Sequence, residues 1–137
     1  MSFSNVHFIL FKPQLAENIG ACARALKNFN FTKLKLVSPK IIFPNEKVFA
    51  TSVGAKDIIN ASKVYSNFED AIKNTDFVIA TSSRIRKKNY KYLSINELKK
   101  INFKQKIAIV FGPEASGLTN NELSYANYVI KLPYSLI

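Results

Sequence analysis

Short apolar runs alternate along this chain with polar stretches that carry apolar residues at helical spacing. Val6–Phe11, apolar but for His7 and stopped by Pro13, has the pattern of a buried strand. Glu17 to Phe29 follows with Ile19, Cys22, Ala23, Leu26 and Phe29 on one helical stripe, and Gly20, Arg24 and Asn28 form a second stripe spaced by four. Lys33–Val37 predicts the next strand, followed by a loop punctuated by Pro39 and Pro44. Helical turns are expected at 46–50 and 55–60, a short strand at Val64–Tyr65, and a helix from Asn67, its cap, to Lys73. Phe77–Ala80 predicts a strand ending in Thr81-Ser82-Ser83, and residues 84–93 read as a polar loop. Ser94-Ile95-Asn96-Glu97 has the form of a capping box opening a helix to about Lys100. Ile107–Phe111 is the most apolar strand, Thr119–Glu122 a helix start, and Tyr128–Leu132 the last strand. Strands alternating with helices, several apolar without a period of two, predict an α/β fold: a parallel sheet with helices on both faces.

The 137 residues, 47% hydrophobic, predict one domain over 1–137 with a real core. No apolar stretch approaches the ~20 residues of a membrane span, and the start Met1-Ser2-Phe3-Ser4-Asn5 lacks the basic and apolar regions of a signal peptide. Cys22 is the lone cysteine, in keeping with a reducing cytoplasm. The formal net charge of +11 points to a polyanionic partner, RNA or DNA. A lysine-rich composition can also follow from an AT-rich genome. Only three of the 20 basic residues are arginine: Arg24, Arg84 and Arg86. Their planar, multi-donor heads do what lysine cannot.

Three segments carry candidate chemistry. Gly112-Pro113-Glu114-Ala115-Ser116-Gly117-Leu118 follows a strand, where open α/β sheets bind ligands, and sets a carboxylate at the sheet edge to accept from loop amides or a ribose hydroxyl. The bland alternative is an ordinary turn with a capping carboxylate. Asn18 to Arg24 opens the first helix: Asn18 as a cap, Gly20 suggesting a close packing partner or ligand, Arg24 either solvated or aimed at a phosphate. Thr81 to Tyr92 joins hydroxyls at a strand end to Arg84, Arg86, Lys87 and Lys88 with Tyr90 and Tyr92 interleaved, a composition suited to phosphates and stacked bases. His7, the one histidine, lies in a buried-type strand. A Ser-His-Asp set, a phosphate-binding Gly-Lys loop and a metal cluster are therefore not expected.

Together these segments resemble the SpoU (TrmH) branch of the SPOUT RNA methyltransferases, and most closely its TrmJ-type tRNA/rRNA members. Asn18, Gly20 and Arg24 match the first family motif, and Gly112, Glu114, Gly117 and Leu118 the second. Thr81-Ser82-Ser83-Arg84-Ile85-Arg86 and Gly54-Ala55-Lys56-Asp57 look like two further TrmJ-type segments. The resemblance implies a trefoil-knot fold, S-adenosylmethionine as methyl donor, a ribose 2′-hydroxyl of tRNA or rRNA as acceptor, and a homodimer. It implies Arg24 as the catalytic residue with Asn18 and Glu114 organising the site. It further implies a cofactor pocket lined by Thr81, Ser82, Ser83, Gly112 and Leu132, and RNA contacts from Arg84, Arg86, Lys87 and Lys88.

The family's third motif, a Ser-Leu-Asn loop leading into the C-terminal knot helix, has no full counterpart in Leu132-Pro133-Tyr134-Ser135-Leu136-Ile137. The expectation is therefore a C-terminally incomplete domain in which cofactor binding is weakened and a family-type tail restores it. A relic that binds RNA without methyl transfer is the alternative, and a separate chain supplying the helix is a third.

Overall fold

The structure, a computed structural model, describes residues 3–82, 90–102 and 104–131. In chain order the elements are β1 (Val6–Phe11), α1 (Ala16–Asn28), β2 (Lys33–Val37), α2 (Glu46–Thr51), α3 (Lys56–Ala61), β3 (Lys63–Tyr65) and α4 (Phe68–Ile72). They continue with β4 (Phe77–Ser82), β5 (Tyr92–Leu93), α5 (Ile95–Leu98), β6 (Ile107–Phe111), α6 (Asn120–Leu123) and β7 (Tyr128–Lys131). The seven strands form one sheet in the order β3-β2-β1-β6-β4-β7-β5, and every adjacent pair is parallel. All strands therefore end on one edge, where β1, β6, β4 and β7 lie side by side.

Alternation along each strand divides the core in two. On one face Ile9, Phe11, Val37, Val78, Ala80, Ala108, Val110 and Val129 pack against Phe68 and Ala71 of α4 and Leu123 of α6. On the other, Leu34 and Leu36 lie beneath α1, α2 and α3, and Ile79, Ile107 and Ile130 beneath Leu98 of α5. The expected sheet with helices on both faces is what the chain forms.

Helix starts follow local capping chemistry. The Asn67 side chain accepts from the Asp70 amide at 2.9 Å, and Ser94 with Glu97 and Thr119 with Glu122 close reciprocal capping boxes. The reading of 84–93 as loop needs one correction, because Tyr92–Leu93 forms an edge strand on β7. Two residues within a polar stretch carry no periodic signal, and the strand exists because Leu93 joins the cluster around Ile79 and Ile130. The segment in which the C-terminal knot helix would follow, from Leu132 on, lies outside the described residues.

Gly20 has a packing reason. An ideal Cβ there would lie 2.0 Å from Thr51 Oγ1 and 2.8 Å from the Thr51 carbonyl carbon, so α2 rests directly on the α1 backbone. The Gly20-Arg24-Asn28 stripe is thus not one free surface: its first member is buried while the other two are exposed. Gly20→Ala must push α2 aside, an overpacking cost of about 1–3 kcal/mol that the ~1 kcal/mol better helix propensity offsets only in part. The expected result is a thermal midpoint lower by up to about 6 °C; a raised midpoint would show that α2 is not seated on Gly20.

Candidate active site

β1 and β6 are neighbours with Leu10 opposite Phe111, so the loops that leave them start side by side on the same sheet edge. The first leads into α1, whose N-cap residue, Leu15, has no side chain able to cap. The cap comes from the second loop. The Glu114 carboxylate accepts from the Gln14 amide at 3.0 and 3.2 Å, from the Leu15 amide at 2.8 Å and from Asn18 Nδ2 at 3.2 Å. In return Gln14 Oε1 accepts from the Ala115 amide at 3.0 Å. A carboxylate at a helix N-terminus also meets the positive end of the helix dipole. Asn18 is the third residue of α1 rather than its cap, and its amide bonds across to the other loop.

The loop that presents Glu114 is itself tightly closed. The Gly117 amide donates to Pro113 O at 2.8 Å, and Gly117 holds a φ of 70°, the left-handed region that glycine enters without strain. A Cβ on Gly112 would lie 2.5 Å from the Leu118 nitrogen and 2.6 Å from the Gly117 carbonyl carbon. Glycine at 112 is therefore required by the loop folding back on itself, a reason that does not involve a ligand. Leu118, 2% exposed, anchors the loop end in the core.

Beside this loop ends β4. Thr81 Oγ1 donates to Val110 O at 3.0 Å, tying β4 to β6, and Ser82 is buried opposite Lys131 of β7. Thr81, Ser82 and Gly112 thus stand on adjacent strand ends. Ser83, Arg84, Arg86, Lys87, Lys88 and Leu132 lie outside the described residues. Past that segment, Tyr90 donates to Asn120 Oδ1 at 3.0 Å and packs on the core.

Asn18 and Glu114 are brought together; Arg24 is not brought to them. α1 runs away from the sheet edge, and six residues at ~1.5 Å each set Arg24 ~9 Å further along its axis than Asn18. Arg24 is exposed, and its guanidinium meets no partner among the described residues. Gln14 escaped sequence reasoning altogether, because its partners lie a hundred positions away and nothing local marks it. Gly54-Ala55-Lys56-Asp57 serves packing: Ala55 is fully buried, and Asp57 pairs with Lys27 at 2.6 Å, fastening α3 to α1.

Two groups with reactive side chains stand outside the site. Burial pushes the Cys22 thiol up to about 11, so it stays protonated and non-nucleophilic at neutral pH. His7 sits near the start of β1, at the opposite end of that strand, and burial with nearby lysines lowers it to about 4. Among the described residues no cluster of His, Cys, Asp and Glu could hold a metal ion, and no helix is long and apolar enough to cross a membrane.

Comparison with known proteins gives this geometry a context. The SpoU rRNA methylase family matches residues 5–136. A tRNA/rRNA methyltransferase of Haemophilus influenzae, uncharacterised, is 38% identical over 131 residues, covering 94% of this chain and 54% of that protein. The tRNA (cytidine-2′-O-)-methyltransferase TrmJ of Methanocaldococcus jannaschii is 38% identical over 135 residues, covering 95% of this chain and 58% of that protein. The crystal structure of TrmJ from Z. mobilis superposes with a TM-score of 0.86 at 31% identity, covering 93% of this chain and 58% of that one. The chain therefore spans about half the length of the curated relatives it matches.

Proposed function

The chain belongs to the SpoU rRNA methylase family, and on that footing we propose that it transfers a methyl group from S-adenosylmethionine to a ribose 2′-hydroxyl of tRNA or rRNA. The observation that carries the reading is the Glu114 clasp. It joins the loop bearing the second family motif to the start of α1, the helix that bears the first, on the sheet edge where α/β folds bind their ligands.

The chemistry of the strand ends fits the methyl donor. Thr81, Ser82 and Gly112 bring backbone groups together on adjacent strand ends, suited to a nucleoside, and none of them is a cation that would repel a sulfonium. Ser83 and Leu132 complete that lining in this reading. When bound, S-adenosylmethionine supplies an electrophilic methyl group. Arg24 binds an RNA phosphate and polarises the 2′-hydroxyl, for which its exposed guanidinium, without a partner among the described residues, is suited. Asn18 and Glu114 act one step back, by fixing the start of the helix that carries Arg24. Arg84, Arg86, Lys87 and Lys88 follow the RNA backbone. Positioning supplies much of the rate in such a displacement.

A homodimer working in the cytoplasm belongs to the same proposal. Leu15 and Phe29, 44% and 69% exposed, lie with half-buried Cys22 at a spacing of seven along α1, an apolar line that a second copy would cover.

The test is methyl transfer from labelled S-adenosylmethionine to a tRNA transcript, read as 2′-O-methylated nucleoside after digestion. It is run on the 137-residue chain and on the same chain with a family-type third motif appended. Ribose-methylated product from either supports the proposal; base-methylated product, or none from both, overturns it.

A further inference from the structure

The far edge of the sheet carries a feature that the methyl-transfer site does not use. His7 lies opposite Lys33, and Ile9 opposite Lys35; Lys35 in turn lies opposite Lys63. Lys106 immediately precedes β6, whose Ala108 lies opposite His7. By the two-residue alternation of strands, all four lysines and His7 project from the same face, the one covered by α4 and α6. They span four neighbouring strands, β3-β2-β1-β6, three steps of ~4.8 Å or about 14 Å in all.

Among the described residues no salt bridge joins a carboxylate to this row. Of nine carboxylates, Glu17 and Asp57 form the salt bridges found among the described residues, with Lys47 and Lys27. Asp76 accepts instead from the backbone amide of Lys106 at 3.1 Å. Lys33, Lys63 and Lys106 are exposed. Lys35 is half-buried, donates to Ala71 O at 2.8 Å and lies 5.4 Å from the Tyr65 ring, which holds its charge at the centre. Burial first, and then each of the four lysines, lowers the pKa of the His7 imidazole, and its Nδ1 atom is buried without a partner among the described residues.

We infer that Lys33, Lys63 and Lys106, centred on Lys35, form a second RNA-binding surface that takes the phosphate backbone of a flanking part of the substrate, at the opposite sheet edge from the candidate active site. The inference rests on the RNA-methyltransferase reading. A line of cations about 14 Å long, three of them exposed and none in a salt bridge among the described residues, suits a run of phosphates. Each phosphate neutralised releases counterions, so binding through such a row depends steeply on salt.

The experiment measures binding of a labelled tRNA transcript by anisotropy at several salt concentrations. It compares the parent with the triple variant Lys33→Ala/Lys63→Ala/Lys106→Ala and with a control of equal charge change, Lys56→Ala/Lys99→Ala/Lys100→Ala. The row variant is expected to bind about tenfold more weakly at moderate salt, and its log K against log salt slope to fall by about 2–3; the control should shift affinity less than about threefold. Equal losses in both triples, or none in the row variant, overturn the surface while leaving the methyl-transfer reading standing. No salt-dependent tRNA binding by the parent overturns both.

Discussion

Arg24→Lys is expected to lower methyl transfer to tRNA about 100-fold or more while changing tRNA affinity less than about threefold, the signature of an interaction made in the transition state. Lysine keeps the charge and so keeps most of the attraction to phosphate. It loses the rigid fork that can hold a phosphate oxygen and a ribose oxygen together. Because Arg24 is exposed and meets no described partner, the substitution should leave the fold unchanged, with a thermal midpoint within about 2 °C of the parent. Single-turnover assays with the enzyme in excess over the transcript separate the chemical step from binding. Unimpaired turnover would remove Arg24 from the chemistry.

Glu114→Gln is the second large effect, and it acts first on stability. One carboxylate serves two backbone amides and the Asn18 side chain; an amide keeps a single acceptor oxygen and turns an NH2 group toward donors. Losing charge-assisted capping of α1 is worth about 2 kcal/mol, which lowers the midpoint by roughly 6–10 °C. Gln14→Ala, which removes only the reciprocal bond to the Ala115 amide, should cost about 0.5–1.5 kcal/mol. Thermal unfolding of the three proteins checks the ranking. If Glu114→Gln matched the parent, α1 would be capped by other means.

What was legible in the sequence is what short stretches decide for themselves. Apolar runs such as Ile107–Phe111 became strands, and Asn67, Ser94 and Thr119 start helices where their side chains reach the next turn. The strand order was not legible, because β6 comes to lie between β1 and β4 through pairings far apart in the chain. Contacts that no spacing marks also hid the purposes of the glycines. Gly20 answers to Thr51, and Gly112 to the return of its own loop; neither partner is marked by spacing. For the candidate site, the motif residues Asn18 and Glu114 could be picked out, but that they bond to each other, with Gln14 between, depends on two strands lying side by side.

That middle position of β6 also sets a timetable for vectorial synthesis. The first three strands can pair with one another as they leave the ribosome, but both neighbours of β4, β6 and β7, are encoded after it. An apolar strand, Phe77–Ala80, must therefore wait without partners while the following residues are added, a delay of some seconds at about 5–20 residues per second. The nascent protein is most exposed to aggregation and chaperone capture in that interval. Closure of the Glu114 clasp, which requires β6 already seated beside β1, marks its end.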